Sequence, residues 1–406
     1  MQKERIFQKR YANDVSNMQS VIASNCGGEA DRRKQKLKLV FVPHQSFEQN
    51  YRQREHYLVE EMANHIQVHV ISWTWADTLH AESLKDFLDI EKVARGLRSW
   101  KKENSYTVHH VRRFIYPPIA ARTINQALFR YELGTILSQE DPDAILLGPN
   151  AEVLGFPRRE TRTPIIFDYS DFLHNRRHMR RYCSLAKAIT CVSKTLVKDA
   201  STLHSNIHYL PNGVDSERFL NGRRRETREK YGIAEGVKVI GLIGVTASPT
   251  MFFLDAAKEL ERRIGDFVYL IVGDGPAAER MKAHSLVRKV PVIFTGWVPF
   301  EGIEDLFAAI DVGIYPVDQN LYFDSAFPIK ILEYTAARKP VVSTDIHEVR
   351  SLGFPNVGLC DPNPRDFAEK VSQALNYNGS YPSLEEFSWK RISRRLEEIV
   401  ESVKRR

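Results

Sequence analysis

Short apolar runs, each too brief to be a helix, alternate along this chain with stretches of helical spacing, and the whole series runs twice. The first series opens at Leu37-Lys38-Leu39-Val40-Phe41-Val42-Pro43 and continues with helical spacing near 51–65 and a strand pattern at 68–71. A polar, helix-like stretch over 77–104 follows, then a strand near 106–111, a helix near 121–138 and strands at 144–147 and 165–167. After the Arg-rich stretch 221–229 the alternation restarts at 237–244, with further strands at 268–272, 292–294, 312–314 and 340–344. Strands that are apolar on both faces and separated by helices demand a parallel sheet covered on both sides.

The expected architecture is therefore α/β, with two Rossmann-like doubly wound parallel-sheet domains facing a cleft. Residues 1–36 read as a polar extension and 37–212 as the first domain. Residues 213–383 read as the second, and 384–406 as charged amphipathic helices. Ligands of such sheets bind beyond the carboxyl ends of the strands.

Composition narrows the function classes. At 406 residues, 43% hydrophobic and 27% charged, the chain can build more than one core, and no apolar run approaches the ~20 residues of a bilayer span. Four scattered cysteines (Cys26, Cys183, Cys191, Cys360) show neither disulfide-rich nor metal-ligand spacing. The start is polar and lacks a secretory apolar segment, so a cytoplasmic location is expected. Net charge is +7, with eight Lys/Arg against four Asp/Glu in residues 1–36 and seven Arg against three acids from Arg158 to Arg181. That distribution points to anionic partners, among them an acidic membrane surface on its inner face. No nucleic-acid-binding motif accompanies the charge.

Three turns are suited to a phosphate-bearing ligand. Gly244-Val245-Thr246-Ala247-Ser248-Pro249 follows the first strand of the second series, with Ser248 and Pro249 suited to open a helix whose N–H groups would face an anion. Gly273-Asp274-Gly275-Pro276 closes the next strand. In Asp324-Ser325-Ala326-Phe327-Pro328-Ile329-Lys330-Ile331-Leu332-Glu333-Tyr334, the three-residue spacing puts Lys330 and Glu333 on one helical face. Glu333 has the lone pairs to take two ribose hydroxyls; Lys330 either meets a diphosphate or simply pairs with Glu333. In the first domain, His44, Gln45, Tyr51, Arg52, Arg54 and Asp171 fall at the carboxyl edge, where an acceptor would bind. Asp168 is placed there too, to orient an acceptor hydroxyl or take its proton.

Several passages taken together are similar to a known family. Cys191-Val192-Ser193-Lys194 with Leu210-Pro211-Asn212-Gly213-Val214-Asp215 and Phe219 resembles the hinge passage of GT-B glycosyltransferases. Leu270–Pro276, Thr295-Gly296-Trp297-Val298 and Pro328–Tyr334 with Lys339-Pro340-Val341-Val342 resemble their donor-site segments, in the family's order. The group is the family-four nucleotide-sugar glycosyltransferases, and the resemblance covers about 37–400, most strongly 188–345.

It implies a retaining transferase that moves a hexose from a UDP- or GDP-sugar to a glycan, lipid-linked or small-molecule acceptor, with no bound metal or other cofactor. Glu333 would hold the ribose, and Thr295–Val298, including Gly296, Trp297 and Val298, would lie along the base. The turns holding Gly244, Thr246, Ser248, Gly273 and Gly275, with Asp324, Ser325, Ala326, Phe327 and Lys330, would cradle the diphosphate and sugar. The C-terminal helices would return to the first domain.

Two departures stand out. Ser325 occupies the position where the family usually carries an acid toward the donor sugar, and the turn after Gly244 has no cation. They keep open a non-catalytic nucleotide-sugar-binding homologue, and a nucleotide-sugar epimerase of the same fold is a further alternative. A dehydrogenase is disfavoured because no G-x-G-x-x-G follows the first strand.

Overall fold

The computed structural model describes residues 36–404, apart from 44–46, 48–51, 74–98, 103–104, 112–117, 150–155, 157–161, 174 and 245–249. Among these are two sheets. The first contains β1 (Lys38–Val42), β2 (Gln67–Trp73), β3 (Ser99–Lys102), β4 (Thr107–Val111), β5 (Ala144–Leu147), β6 (Ile165–Tyr169), β7 (Ala188–Cys191) and β8 (Ile207–Tyr209), in the spatial order β3-β4-β2-β1-β5-β6-β7-β8. All pairings are parallel except β3 with β4. The second contains β9 (Lys238–Ile243), β10 (Phe267–Val272), β11 (Val292–Gly296), β12 (Val312–Tyr315), β13 (Val341–Thr344) and β14 (Val357–Cys360), all parallel, in the order β11-β10-β9-β12-β13-β14. In both sheets the order reverses beside the first strand, which opens a crevice at the carboxyl edge.

The apolar strands form where the sequence pattern predicts because both their faces are covered: every residue of β5, β12 and β13 is buried. Residues 99–102, read as part of a helix-like stretch, instead form the antiparallel edge strand β3 against β4. Residues 77–98 of that stretch lie outside the described residues.

The chain crosses between the sheets twice. Leu210 to Asp215 leads outward from β8, and the chain returns at Phe387–Trp389. The two passages touch: the Val214 N–H donates to Phe387 O at 2.7 Å, and Val214 bridges Ser388 in parallel. A Cβ on Gly213 would come within 2.6 Å of the Trp389 ring, so only glycine lets the passages lie this close. Beyond the return, Ser388 caps the Trp389–Val403 helix by accepting from Arg391 N. Ile392, Leu396, Ile399 and Val400 recur at helical spacing on its buried face and join a core with Leu58 and Met62 of the Arg54–Ala63 helix. Burying four such aliphatic side chains contributes on the order of 6–10 kcal/mol in gross transfer free energy, which seats the last helix on the first domain.

Candidate active site

The second sheet positions its cleft residues through one buried tyrosine. Tyr334 has no exposed surface; its hydroxyl accepts from Ile243 N at 2.9 Å and donates to Gly241 O at 3.0 Å. Its ring lies over Gly313, where a Cβ would sit 2.4 Å from the ring. Burial drives the phenol pKa far upward, so the hydroxyl stays neutral. The Ile329–Ala336 helix is thereby fixed beneath β9, and its first two turns carry Lys330 and Glu333 into the cleft.

Lys330 Nζ donates to Glu333 Oε2 at 2.6 Å, with Glu333 13% exposed and Lys330 32%. At the end of β9, Gly244 adopts φ +88, and a Cβ there would approach Lys330 Cε to 2.8 Å. A glycine in this left-handed conformation lets the lysine run along the backbone turn.

The cleft between the carboxyl edges of the sheets encloses about 690 Å³. Of the residues expected on the donor side, Gly244, Gly273, Trp297, Val298, Ala326, Phe327, Lys330 and Glu333 line it, and of those on the acceptor side Arg52, Arg54 and Asp171. His44, Gln45, Tyr51, Thr246 and Ser248 lie outside the described residues. Gly275 and Gly296 are not on the cleft wall; both have positive φ and turn the chain, Gly296 accepting from Gly273 N at 3.0 Å.

Four positions, Asp168, Arg54, Asp324 and Ser325, differ from the sequence expectation for physical reasons. β6 extends to Tyr169, so Asp168 lies within the sheet rather than beyond it, 2% exposed. Its carboxylate accepts from Arg54 Nε and Nη2, both at 3.2 Å, and from Thr190 Oγ1 at 2.6 Å. Asp168 is a buried counter-ion, not an open base. Arg54, placed to reach a phosphate, spends its remaining donor on Pro211 O at 2.9 Å and Asn212 Oδ1 at 3.3 Å, which pins the first crossing passage to the first helix.

Residues Leu321–Ser325 form a helical turn capped by Asn320. That turn buries Ser325, whose hydroxyl donates to Leu321 O at 2.6 Å, and sends Asp324 away from the cleft to accept from His347 N at 2.7 Å.

The cleft also holds aromatic residues that the sequence did not single out. Tyr57 stacks on Trp389 with centroids 4.7 Å apart and rings 2° from parallel, and meets Phe300 edge-on at 6.2 Å. The guanidinium of Arg52, paired with Glu60, lies 4.8 Å from the Tyr57 centroid. Burial raises the Tyr57 phenol pKa and the charge of Glu333, which lines the same cleft, raises it further. No local signal marks Tyr57, since the partner that presents it arrives from the far end of the chain.

Among the described residues, no cluster of three or more His, Cys, Asp or Glu could hold a metal ion. The three described cysteines are buried and free.

Two family descriptions divide the chain between them. Residues 53–218 match Glycosyltransferase Family 4 and residues 237–377 match Glycosyl transferases group 1. The chain belongs to the group 1 glycosyltransferases. Among its relatives is TuaH of Bacillus subtilis, named as a teichuronic acid biosynthesis glycosyltransferase, 30% identical over 205 residues. That alignment takes in 49% of this chain and 51% of TuaH, so the similarity spans about half of that relative. A GDP-mannose-dependent alpha-(1-6)-phosphatidylinositol monomannoside mannosyltransferase of Mycolicibacterium smegmatis is 28% identical over 62% of this chain and 68% of its own length.

Solved structures share the two-domain arrangement. A glycosyltransferase from Rickettsia africae superposes with a TM-score of 0.64 at 16% identity, over 91% of this chain and 98% of that one. Anabaena HepE in complex with UDP and glucose gives 0.60 at 15%, over 90% and 100%. The fold of this group 1 member is GT-B.

Proposed function

We propose that this protein transfers a sugar from a nucleoside-diphosphate sugar to a glycan or lipid-linked acceptor bound across the cleft. The observation that carries this reading is the Lys330–Glu333 pair, held by Tyr334 under the Gly244 turn and aimed into a cleft between two Rossmann-like domains. In this reading Glu333 accepts the two ribose hydroxyls, while Lys330 turns from Glu333 to the diphosphate. The backbone at Gly244 and Gly273 closes around the phosphates, and Trp297 and Val298 border the base. As the glycosidic bond breaks, negative charge grows on the leaving diphosphate, and a cation already fixed beside it stabilises that charge without reorganisation.

Arg52 and Asp171 form the acceptor wall. Asp168 is not given a catalytic role, because its carboxylate is enclosed by Arg54 and Thr190. Retention of anomeric configuration and independence of a bound metal belong to the same proposal. Relatives named for GDP-mannose and a neighbour solved with UDP support a sugar nucleotide as donor.

Binding of UDP- and GDP-sugars by calorimetry tests the site. Glu333→Ala removes hydrogen bonds to a charged acceptor, each worth about 1.5–3 kcal/mol, so donor affinity is expected to fall roughly 50-fold. Unchanged donor affinity and transfer rate in that variant would reject the assignment.

A peripheral membrane attachment is part of the proposal. The Arg176–Leu185 helix buries Met179, Tyr182 and Cys183 and leaves Arg177 and Arg180 exposed. No helix among the described residues is long and apolar enough to cross a membrane. Sedimentation with phosphatidylserine vesicles is expected at low salt and should be lost above about 0.3 M, as screening shortens the reach of surface charge. Equal binding to neutral vesicles, or none to either, counts against it.

A further inference from the structure

The two domains meet at a second place, away from the crossing passages. On the second domain the His347–Leu352 helix carries Glu348, 1% exposed. Its Oε1 reaches the first domain, accepting from the Thr195 N–H at 2.8 Å and from Thr195 Oγ1 at 3.0 Å. Thr195 stands in the first turn of the Lys194–Ala200 helix, whose free N–H groups favour a negative charge. Beside it, Lys194 Nζ donates to Ser351 O at 3.3 Å. The other carboxylate oxygen of Glu348 is buried without a hydrogen-bond partner.

A buried carboxylate with one oxygen unsatisfied is costly to keep, and here it is spent on a contact between domains. The same helix begins at His347, whose N–H is held by Asp324 of the turn that precedes Ala326, Phe327 and Lys330. Asp324 to His347, and Glu348 to Thr195, thus form an unbroken path from the donor-side segment to the first domain.

We propose that Glu348 is a positioning residue for the donor site: it ties the 321–328 segment to the first domain through the Asp324–His347 contact, so that the cleft is ordered only when the domains lie as they do here. This rests on the assignment of a nucleotide-sugar site to the cleft. Opening the cleft would pull Glu348 from Thr195, leaving the carboxylate and the helix N–H to water and the Asp324 segment without its brace. The Asp324 side chain, which faces away from the cleft, contributes to the donor site through this brace rather than by touching sugar.

The test uses the full chain with Glu348→Ala, Glu348→Gln and Thr195→Val, probed with UDP, GDP, UDP-glucose and GDP-mannose. Glu348→Ala is expected to weaken nucleotide binding about tenfold and to raise donor KM by a similar factor, with acceptor KM unchanged. Small-angle X-ray scattering should show a larger radius of gyration than wild type. Glu348→Gln keeps an oxygen for the Thr195 N–H and should recover most of the affinity; Thr195→Val, which keeps that N–H but loses the hydroxyl, should fall between.

If Glu348→Ala lowers only the melting temperature, with binding and scattering as in wild type, the residue is merely structural and the proposal fails. If wild type binds none of the four nucleotides, the site assignment fails instead. The scattering comparison then still decides whether Glu348 holds the domains, and unchanged scattering overturns that too.

Discussion

Lys330→Ala is expected to slow sugar transfer by two to three orders of magnitude while leaving the protein folded. The side chain is about one-third exposed and its ammonium pairs with Glu333, so its removal costs little packing. Its loss falls on the transition state: a donor fixed beside developing charge in a secluded site is worth about 3–4 kcal/mol, or roughly 10²–10³ in rate. Steady-state kinetics with the best donor found by calorimetry checks this. The fall should appear mostly in kcat, and Lys330→Arg should restore only part of it, because the guanidinium must pass the narrow turn at Gly244. A variant that keeps more than half of the wild-type kcat would remove Lys330 from the chemistry.

The second large effect concerns stability. Arg54 and Asp168 are both at most 5% exposed, and each is the other's counter-ion within the first domain. Taking away one member of such a pair strands a buried charge and costs about 3–5 kcal/mol. Arg54→Met should therefore lower the melting temperature of the first domain by roughly 6–15 °C. Asp168→Asn alone should also destabilise, but the double variant Arg54→Met/Asp168→Asn should recover much of the loss, since no charge then remains to be compensated. Calorimetric melting of the three variants measures the coupling. Additive losses would show that the two side chains act independently. The same series separates Asp168 from catalysis: with its oxygens committed to Arg54 and Thr190, Asp168→Asn should retain kcat at temperatures where it stays folded.

What the sequence made legible follows from where the physical signal is local. The segments 39–42, 144–147 and 312–315 are short, apolar and covered on both faces, so their pattern is readable without knowing their neighbours. Lys330 and Glu333 are one helical turn apart, and their shared face follows from spacing alone. The burial of Asp168 is not legible locally, because the residue that neutralises it stands 114 positions earlier and no window of the sequence pairs the two. The resemblance places Ser325 and Asp324 at the donor sugar and diphosphate from their position before Lys330 alone. The additional turn capped by Asn320 rotates both away, and that turn is visible only once Asn320 accepts from Phe323 N. The strand at 99–102 depends on pairing with β4, a tertiary contact that overrides a helix-like local pattern.

The paired passages at Gly213–Val214 and Phe387–Ser388 have a mechanical consequence. A single peptide link would let the lobes swivel like beads on a string; two links fastened side by side by the Val214–Phe387 bond behave as a door hinge with one permitted axis. Torsion about the long axis would have to shear the Trp389 ring off Gly213, so the gap can widen or narrow but its opposing walls stay in register through each cycle.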